Sequence, residues 1–173
     1  MRWLLLPLLL AGLLSGCGIN HARPVSYTEV IGNHRAMVIY GVKLEGVWRY
    51  PRFSLLLEEF DANTGKITGN CWVRTHTQAT VDSTPGEVRY FAFDVPPGQY
   101  VYSPFNAKWL NGGTLAFEAP AGKRTYVGDF VFEKNGTVSL RQDLAAAGAS
   151  VGWPLSVADT RVVNTPFIFM CTM

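Results

Sequence analysis

The 173-residue chain is nearly balanced in charge, with 15 Lys and Arg against 13 Asp and Glu, and it has no basic run that could track a phosphate backbone. Aromatic residues make up 13% and charged residues 16%, which argues against a disordered chain and suits one sheet-rich domain with a substantial core. Nucleic acid is therefore not an expected partner.

Met1-Arg2 opens an apolar run from Trp3 to Leu14 that closes on Leu14-Ser15-Gly16-Cys17. The run is too short to cross about 30 Å of hydrocarbon at about 1.5 Å per residue, and no stop-transfer flank follows it. A basic start, an apolar run and a small-small-Cys ending resemble the lipobox of bacterial lipoprotein precursors. That resemblance implies that residues 1–16 are a cleaved signal peptide and that Cys17 becomes the first residue of the mature chain. It also implies a diacylglyceryl group on the Cys17 thiol and a fatty acyl group, of the palmitate kind, on its amine. One chain at about 0.8 kcal/mol per buried methylene binds a bilayer marginally, whereas two or three hold a protein there stably. Gly18, not Asp, follows the cysteine, so the resemblance places the protein on the periplasmic face of the outer membrane. Loss of Arg2 with the signal leaves 14 Lys and Arg against 13 Asp and Glu.

Residues 17–26 then read as the lipidated Cys and a short tether without apolar periodicity, and residues 27–173 as the folded domain. Ala36 to Leu44 puts Val38, Tyr40, Val42 and Leu44 on one face by the two-residue repeat, and Phe53 to Phe60 reads as a more continuously apolar strand. Asp61 to Lys66 is a turn, and Ile67 to Thr77 is the next strand, with Cys71, Val73 and Thr75 opposite Trp72, Arg74 and His76. Val88 to Val95 and Gln99 to Ser103 flank Pro96-Pro97-Gly98, where proline then glycine suits a type II hairpin turn. Thr114 to Ala119 meets Lys123 to Phe132 across Pro120-Ala121-Gly122, and Asn135-Gly136 reverses the chain into Thr137 to Arg141. These last three strands are expected to be adjacent and antiparallel. Asp143 to Ala147 is a short helix before Gly148, and Phe167 to Cys171 is a closing strand. About eight or nine strands with regularly spaced turns indicate an all-β domain, a single antiparallel sandwich with one short helix.

Val95-Pro96-Pro97-Gly98-Gln99-Tyr100-Val101 and the stretch Phe117 to Gly128 resemble the Pro-Gly-x-Tyr and Ala-Gly-Lys turn pattern of uncharacterised bacterial lipoproteins with a transthyretin-like or carboxypeptidase-regulatory-like sandwich, an Ig-like two-sheet fold. The resemblance covers roughly residues 36 to 141, implies a small accessory role and brings no catalytic residues with it. Gly46-Val47-Trp48, with Arg52-Phe53 after it, is similar to the Gly-x-Trp signature of lipocalins, which implies the alternative of a lipocalin-like barrel carrying a small apolar ligand.

With Cys17 given to lipid, Cys71 and Cys171 remain. One reading is a disulfide closing a loop of about 100 residues, worth about 4.7 kcal/mol in the chain-entropy model; the other is two separate buried thiols. No Cys-x-x-Cys or His-x-x-x-His spacing marks a metal site, and no cofactor is expected. His21, His34 and His76 have no nucleophile or carboxylate at a diagnostic spacing, so catalysis is not the expected role, an envelope enzyme being the remaining alternative. Glu58 and Glu59 point to opposite faces of a strand, and at least one is expected in solvent. Tyr100, Tyr102, Phe105 and Trp109, on a strand end and the long connection after it, are the candidate partner-binding residues. The sequence thus points to a structural or protein-interaction module of the cell envelope, its partners the membrane through the lipid anchor and another envelope protein.

Overall fold

The protein is described by a computed structural model covering residues 18–70 and 72–164. The signal peptide, lipidation of Cys17, the pairing of Cys71 with Cys171 and the strand at Phe167 to Cys171 all fall outside those residues. Within them the chain forms β1 (Ile19–Asn20), β2 (Arg23–Val25), β3 (Ala36–Leu44), β4 (Arg52–Asp61), β5 (Lys66–Ile67), β6 (Val73–Arg74) and β7 (His76–Asp82). It continues through β8 (Arg89–Val95), β9 (Gly98–Tyr102), β10 (Leu115–Ala119), β11 (Arg124–Phe132), β12 (Val138–Arg141), α1 (Leu144–Val151), β13 (Ser156–Val157) and β14 (Thr160–Val162).

Two six-stranded sheets form an all-β sandwich, as the alternating patterns and turn spacing imply. The first runs β12-β11-β3-β8-β2, with β13 beside β11; the second runs β14-β10-β9-β4, with β7 and β5 pairing β4. Neither path returns to its start, so the arrangement is not a closed lipocalin-like barrel. Val38, Tyr40, Val42 and Leu44 face Phe53, Leu55, Leu57, Tyr100, Tyr102 and Phe117 across the main core. Met37 and Ile39, on the other face of β3, pack under α1 with Tyr126, Ala147 and Val151. β3 is thus covered on both faces, which its nearly unbroken apolar sequence requires.

The sheets are not wholly antiparallel. β3 pairs β8 antiparallel but β11 parallel, from Met37 opposite Arg124 to Leu44 opposite Phe132. The ladder shifts register between Tyr126 and Gly128, a bulge that inserts one residue and puts both Tyr126 and Asp129 on the outer face. Gly128 takes φ +136°, and a Cβ there would lie 2.6 Å from Leu140 Cδ1 and 2.8 Å from the Arg141 carbonyl. The Tyr126 hydroxyl donates to Asp129 Oδ1 at 2.8 Å, and burial raises the Asp129 pKa above the ordinary carboxylate value.

Two turns expected to make hairpins instead cross between the sheets. β8 and β9, joined through Pro96-Pro97, lie in different sheets, and Gly98 begins β9 without positive φ, so no type II turn forms. β10 pairs β9 and β14, and Pro120-Ala121-Gly122 carries the chain over to β11. Only the Asn135-Gly136 hairpin, β11 with β12, closes as expected. The turn residues were read correctly as reversals, but a reversal does not decide between the same sheet and the facing one. The Ile67 to Thr77 segment is three short strands, with Gly69 at φ +94° interrupting it. The helix runs on through Gly148 to a left-handed cap at Gly152, and Asp143 caps its start by accepting from the Ala146 amide.

The segment expected as a free tether is built into the fold. β1 pairs β6 and β2 pairs β8. Asp94, buried, accepts from Arg23 at 2.7 Å and Arg35 at 2.5 Å, and Arg35 also donates to the His21 carbonyl at 2.8 Å. A sequence without apolar periodicity is held here by polar and backbone bonds, which hydrophobic patterning does not report.

Gly41 pairs with Asp129 in the β3–β11 ladder, and a Cβ on it would lie 2.3 Å from Asp129 Oδ1 and 2.5 Å from Val88 Cγ1. Gly41→Ala is expected to lower the unfolding free energy by about 1–3 kcal/mol, the range for overpacking a filled core, as a shift in the urea midpoint. An unchanged midpoint would mean that β3 and β11 are not this close.

Candidate functional site

The connection from Ser103 to Thr114 carries the most distinctive surface of the described residues. It leaves β9 in the second sheet and reaches β12 in the first, where Leu110 bridges Val138. Asn106 acts as a substitute strand: its Oδ1 accepts the Leu56 amide at 2.8 Å and its Nδ2 donates to the Leu56 carbonyl at 2.9 Å. The Tyr102 hydroxyl donates to the Lys108 carbonyl at 2.8 Å. The Val138 amide donates to the Trp109 carbonyl at 3.0 Å, and the Asn111 amide to the Val138 carbonyl at 2.7 Å. The backbone around Trp109 is therefore fixed from both sheets while its side chain is 79% exposed.

Two clefts flank this loop. One, of about 420 Å³, is lined by Ser103, Asn106, Trp109, Thr114 and Asn164 among others. The second, of about 510 Å³, lies over Val47, Trp48, Tyr50 and Phe132. Lys108 borders both, its ammonium 5.7 Å from the Trp48 and Phe132 ring centroids, within reach of a cation–π attraction. Trp48 meets Phe53 and Phe132 edge-on, and its Nε1 donates to the Arg52 carbonyl at 2.8 Å. It closes the end of the sandwich as packing, and the core behind it is filled by Phe53, Phe130 and Phe132.

The four aromatic candidates divide. Tyr100 and Tyr102 are buried core residues, their hydroxyls pinned on the Pro96 and Lys108 carbonyls, so Tyr102 supports the loop, Tyr100 supports the Pro96 crossing, and neither is exposed at the surface. Phe105 and Trp109 are exposed at the surface. Alternation along β9 explains the correction, since residues 100 and 102 share the inward face. Asn106 fixes the loop through its two bonds to Leu56, and Lys108 joins its clefts.

On the outer face of the second sheet, Glu58 is fully buried, while Glu59, on the opposite face of the strand, keeps partial access to solvent. The Ser103 hydroxyl donates to Glu58 Oε2, and Arg74 Nη1 lies 3.4 Å from Oε1. Phe60, Ile67, Val101 and Ala116 form an apolar cluster on this sheet, and Glu58 pairs with Val101 in the ladder. Burial pushes the Glu58 pKa up, partly opposed by Ser103 and Arg74. His76 pairs with Glu58 across β4 and β7, is half-buried, and has its pKa lowered by burial and then by Arg74. Its Nδ1 has no hydrogen-bond partner among the described residues. The Ser103 hydroxyl is committed to the carboxylate itself, with no imidazole between them, an arrangement that does not deprotonate the serine in the manner of a Ser-His-acid relay. No cluster of three His, Cys, Asp or Glu able to hold a metal ion occurs among the described residues.

No family model, curated protein or solved structure matches the chain. The functional reading rests on the rim itself.

Two outcomes follow from this geometry. Asn106→Ala leaves the Leu56 amide without its acceptor and the Leu56 carbonyl with the Ser103 amide alone, and is expected to cost about 1–3 kcal/mol, with faster proteolytic cutting between residues 103 and 114. Because burial raises the folded pKa of Glu58, its contribution is fully present below the unfolded value and is lost as pH rises through the folded one. Glu58→Gln should therefore flatten the fall in unfolding free energy from about pH 4.5 toward neutrality relative to the parent, and match or exceed the parent's stability at neutral pH. A steeper fall in the variant would contradict the assignment; Asp129, raised in both proteins, cancels from the comparison.

Proposed function

We propose that this chain is a lipid-anchored lipoprotein of the cell envelope, attached through Cys17 to the periplasmic face of the outer membrane, and that it works as a protein-interaction module through the rim at Phe105, Lys108 and Trp109. The observation that carries the interaction reading is Trp109: an exposed indole on a backbone hydrogen-bonded into both sheets. Such a side chain gives a partner a large apolar contact with little ordering cost, because the loop already holds its bound shape. A filled core supports contact at the surface over uptake of an apolar ligand inside the sandwich. The lipobox ending at Cys17 supports the anchor, and a Cys71–Cys171 disulfide belongs to the same envelope reading.

Intact-mass measurement of membrane-extracted protein should give a chain that starts at Cys17 and carries added acyl mass. The same spectrum before and after reduction reads the disulfide as a gain of two hydrogens. A product without acyl mass would remove the anchor from this reading. For the rim, a photo-crosslinking residue placed at Trp109 in cells is expected to give a discrete higher-mass adduct, whereas the same residue at the exposed Val30 gives none. Equal labelling from both positions, or none from either, would remove Trp109 as the contact.

A further inference from the structure

The register of the sheets fixes which end of the sandwich lies nearest the lipid anchor. Gly98 pairs with Ala119, Ala36 with Val95 and Met37 with Arg124, so two of the crossings between the sheets, Pro96-Pro97 and Pro120 to Lys123, stand at one end. Leu44 pairs with Phe132 at the other end, where Trp48, Lys108 and Gly136 border one cleft. The aromatic rim and the crossings are thus separated by the length of β3, nine residues or about 30 Å.

Gly18 to Ala22 belongs to the crossing end. Ile19 and Asn20 pair with Val73 and Arg74, and the Ile19 amide donates to the Trp72 carbonyl. Asn20 clamps the next strand: its Nδ2 donates to the His76 carbonyl at 2.8 Å and its Oδ1 accepts the His76 amide at 3.1 Å. His21 is tied through its carbonyl to Arg35, one residue before β3, and Arg35 accepts the Gly122 amide in the second crossing. Two large apolar side chains stand out of this corner, Ile19 at 57% and Trp72 at 64% exposure.

We infer that Ile19 and Trp72 rest in the headgroup region of the bilayer that holds the Cys17 lipid, so that the domain stands with its crossing end on the membrane and its aromatic rim facing away. The inference rests on the lipid anchor proposed above. Cys17 precedes Ile19 by two residues, at most about 7 Å of chain, and Ile19 is already hydrogen-bonded into the fold. No free tether remains to lift this corner off the surface, and tryptophan is the side chain that favours the membrane–water boundary, where its indole lies partly in the apolar layer and its N–H stays wet. The chemistry recognised is therefore a phospholipid surface, and the rim is presented about 30 Å from it.

Acylated full-length protein, its mass first confirmed, is reconstituted into phospholipid vesicles that contain lipids with a nitroxide near the headgroup, and tryptophan fluorescence is recorded. In a Trp153→Phe background, which removes the other exposed indole of this end, stacked on Arg124, Trp72→Phe is expected to remove at least half of the quenched fluorescence, while Trp109→Phe leaves the quenched component unchanged. Asn20→Ala, which loosens the clamp without touching Cys17, should lower quenching of the remaining protein about twofold. Loss of less than half of the quenched component with Trp72→Phe, or its disappearance with Trp109→Phe, in protein of confirmed acylated mass overturns the orientation alone. A mass without acyl groups overturns the anchor and the orientation together.

Discussion

Burial of β3 on both faces is the constraint around which the rest is arranged. Its even-numbered residues enter the core between the sheets, and Met37 and Ile39 enter the layer beneath α1, so both edges and both faces must be covered. β8 and β11 supply the edges, the second sheet and the helix the faces. The parallel pairing with β11 then demands an adjustment, because Tyr126 and Asp129 must share the outer face. The bulge at Gly128 provides it, and Gly41 leaves room for the carboxyl that results. A polar group drawn into a covered layer is tolerated because the Tyr126 hydroxyl bonds it.

What the sequence conveyed was local. The two-residue repeat from Ala36 to Leu44 named one element's exact limits and its inward face, and Asn135-Gly136 named one hairpin correctly. Which strands became neighbours was not legible, because Pro96-Pro97 and Pro120-Ala121-Gly122 contain the same turn chemistry whether the chain folds back in its own sheet or steps to the opposite one. Polar docking was equally hidden. Asn20, Asp94 and Asn106 hold the N-terminal segment and the long loop through side chain to backbone bonds or ion pairs, and nothing in hydrophobic periodicity announces such partners. The burial of Glu58 escaped for a related reason: alternation sends it to the outer face correctly, but that face is itself covered.

The candidate site was half visible. An aromatic-rich connection after a strand marks the segment, yet alternation along β9 divides it, with Tyr100 and Tyr102 in the core and Phe105 and Trp109 at the surface. The polar residues between them, Asn106 and Lys108, determine the shape. One replaces a missing strand along Leu56 and the other borders both clefts. A rim of this kind depends on the sandwich beneath it, so substitutions at Tyr102 or Asn106 alter the loop's shape without removing an exposed side chain.

The two crossings at one end have a mechanical consequence. They bind the sheets like the spine of a book, since each joins one sheet to the other through only a few residues, and the prolines within them have no amide hydrogen to exchange for another partner. The chain also passes between the sheets at the other end, through residues 45–51 from β3 to β4 and residues 83–88 from β7 to β8, so the sandwich is stitched at both ends. A pull on the loop from Ser103 to Thr114 is therefore shared between those covalent crossings and the hydrogen bonds of Leu56 and Val138, and load applied at the rim reaches both sheets at once.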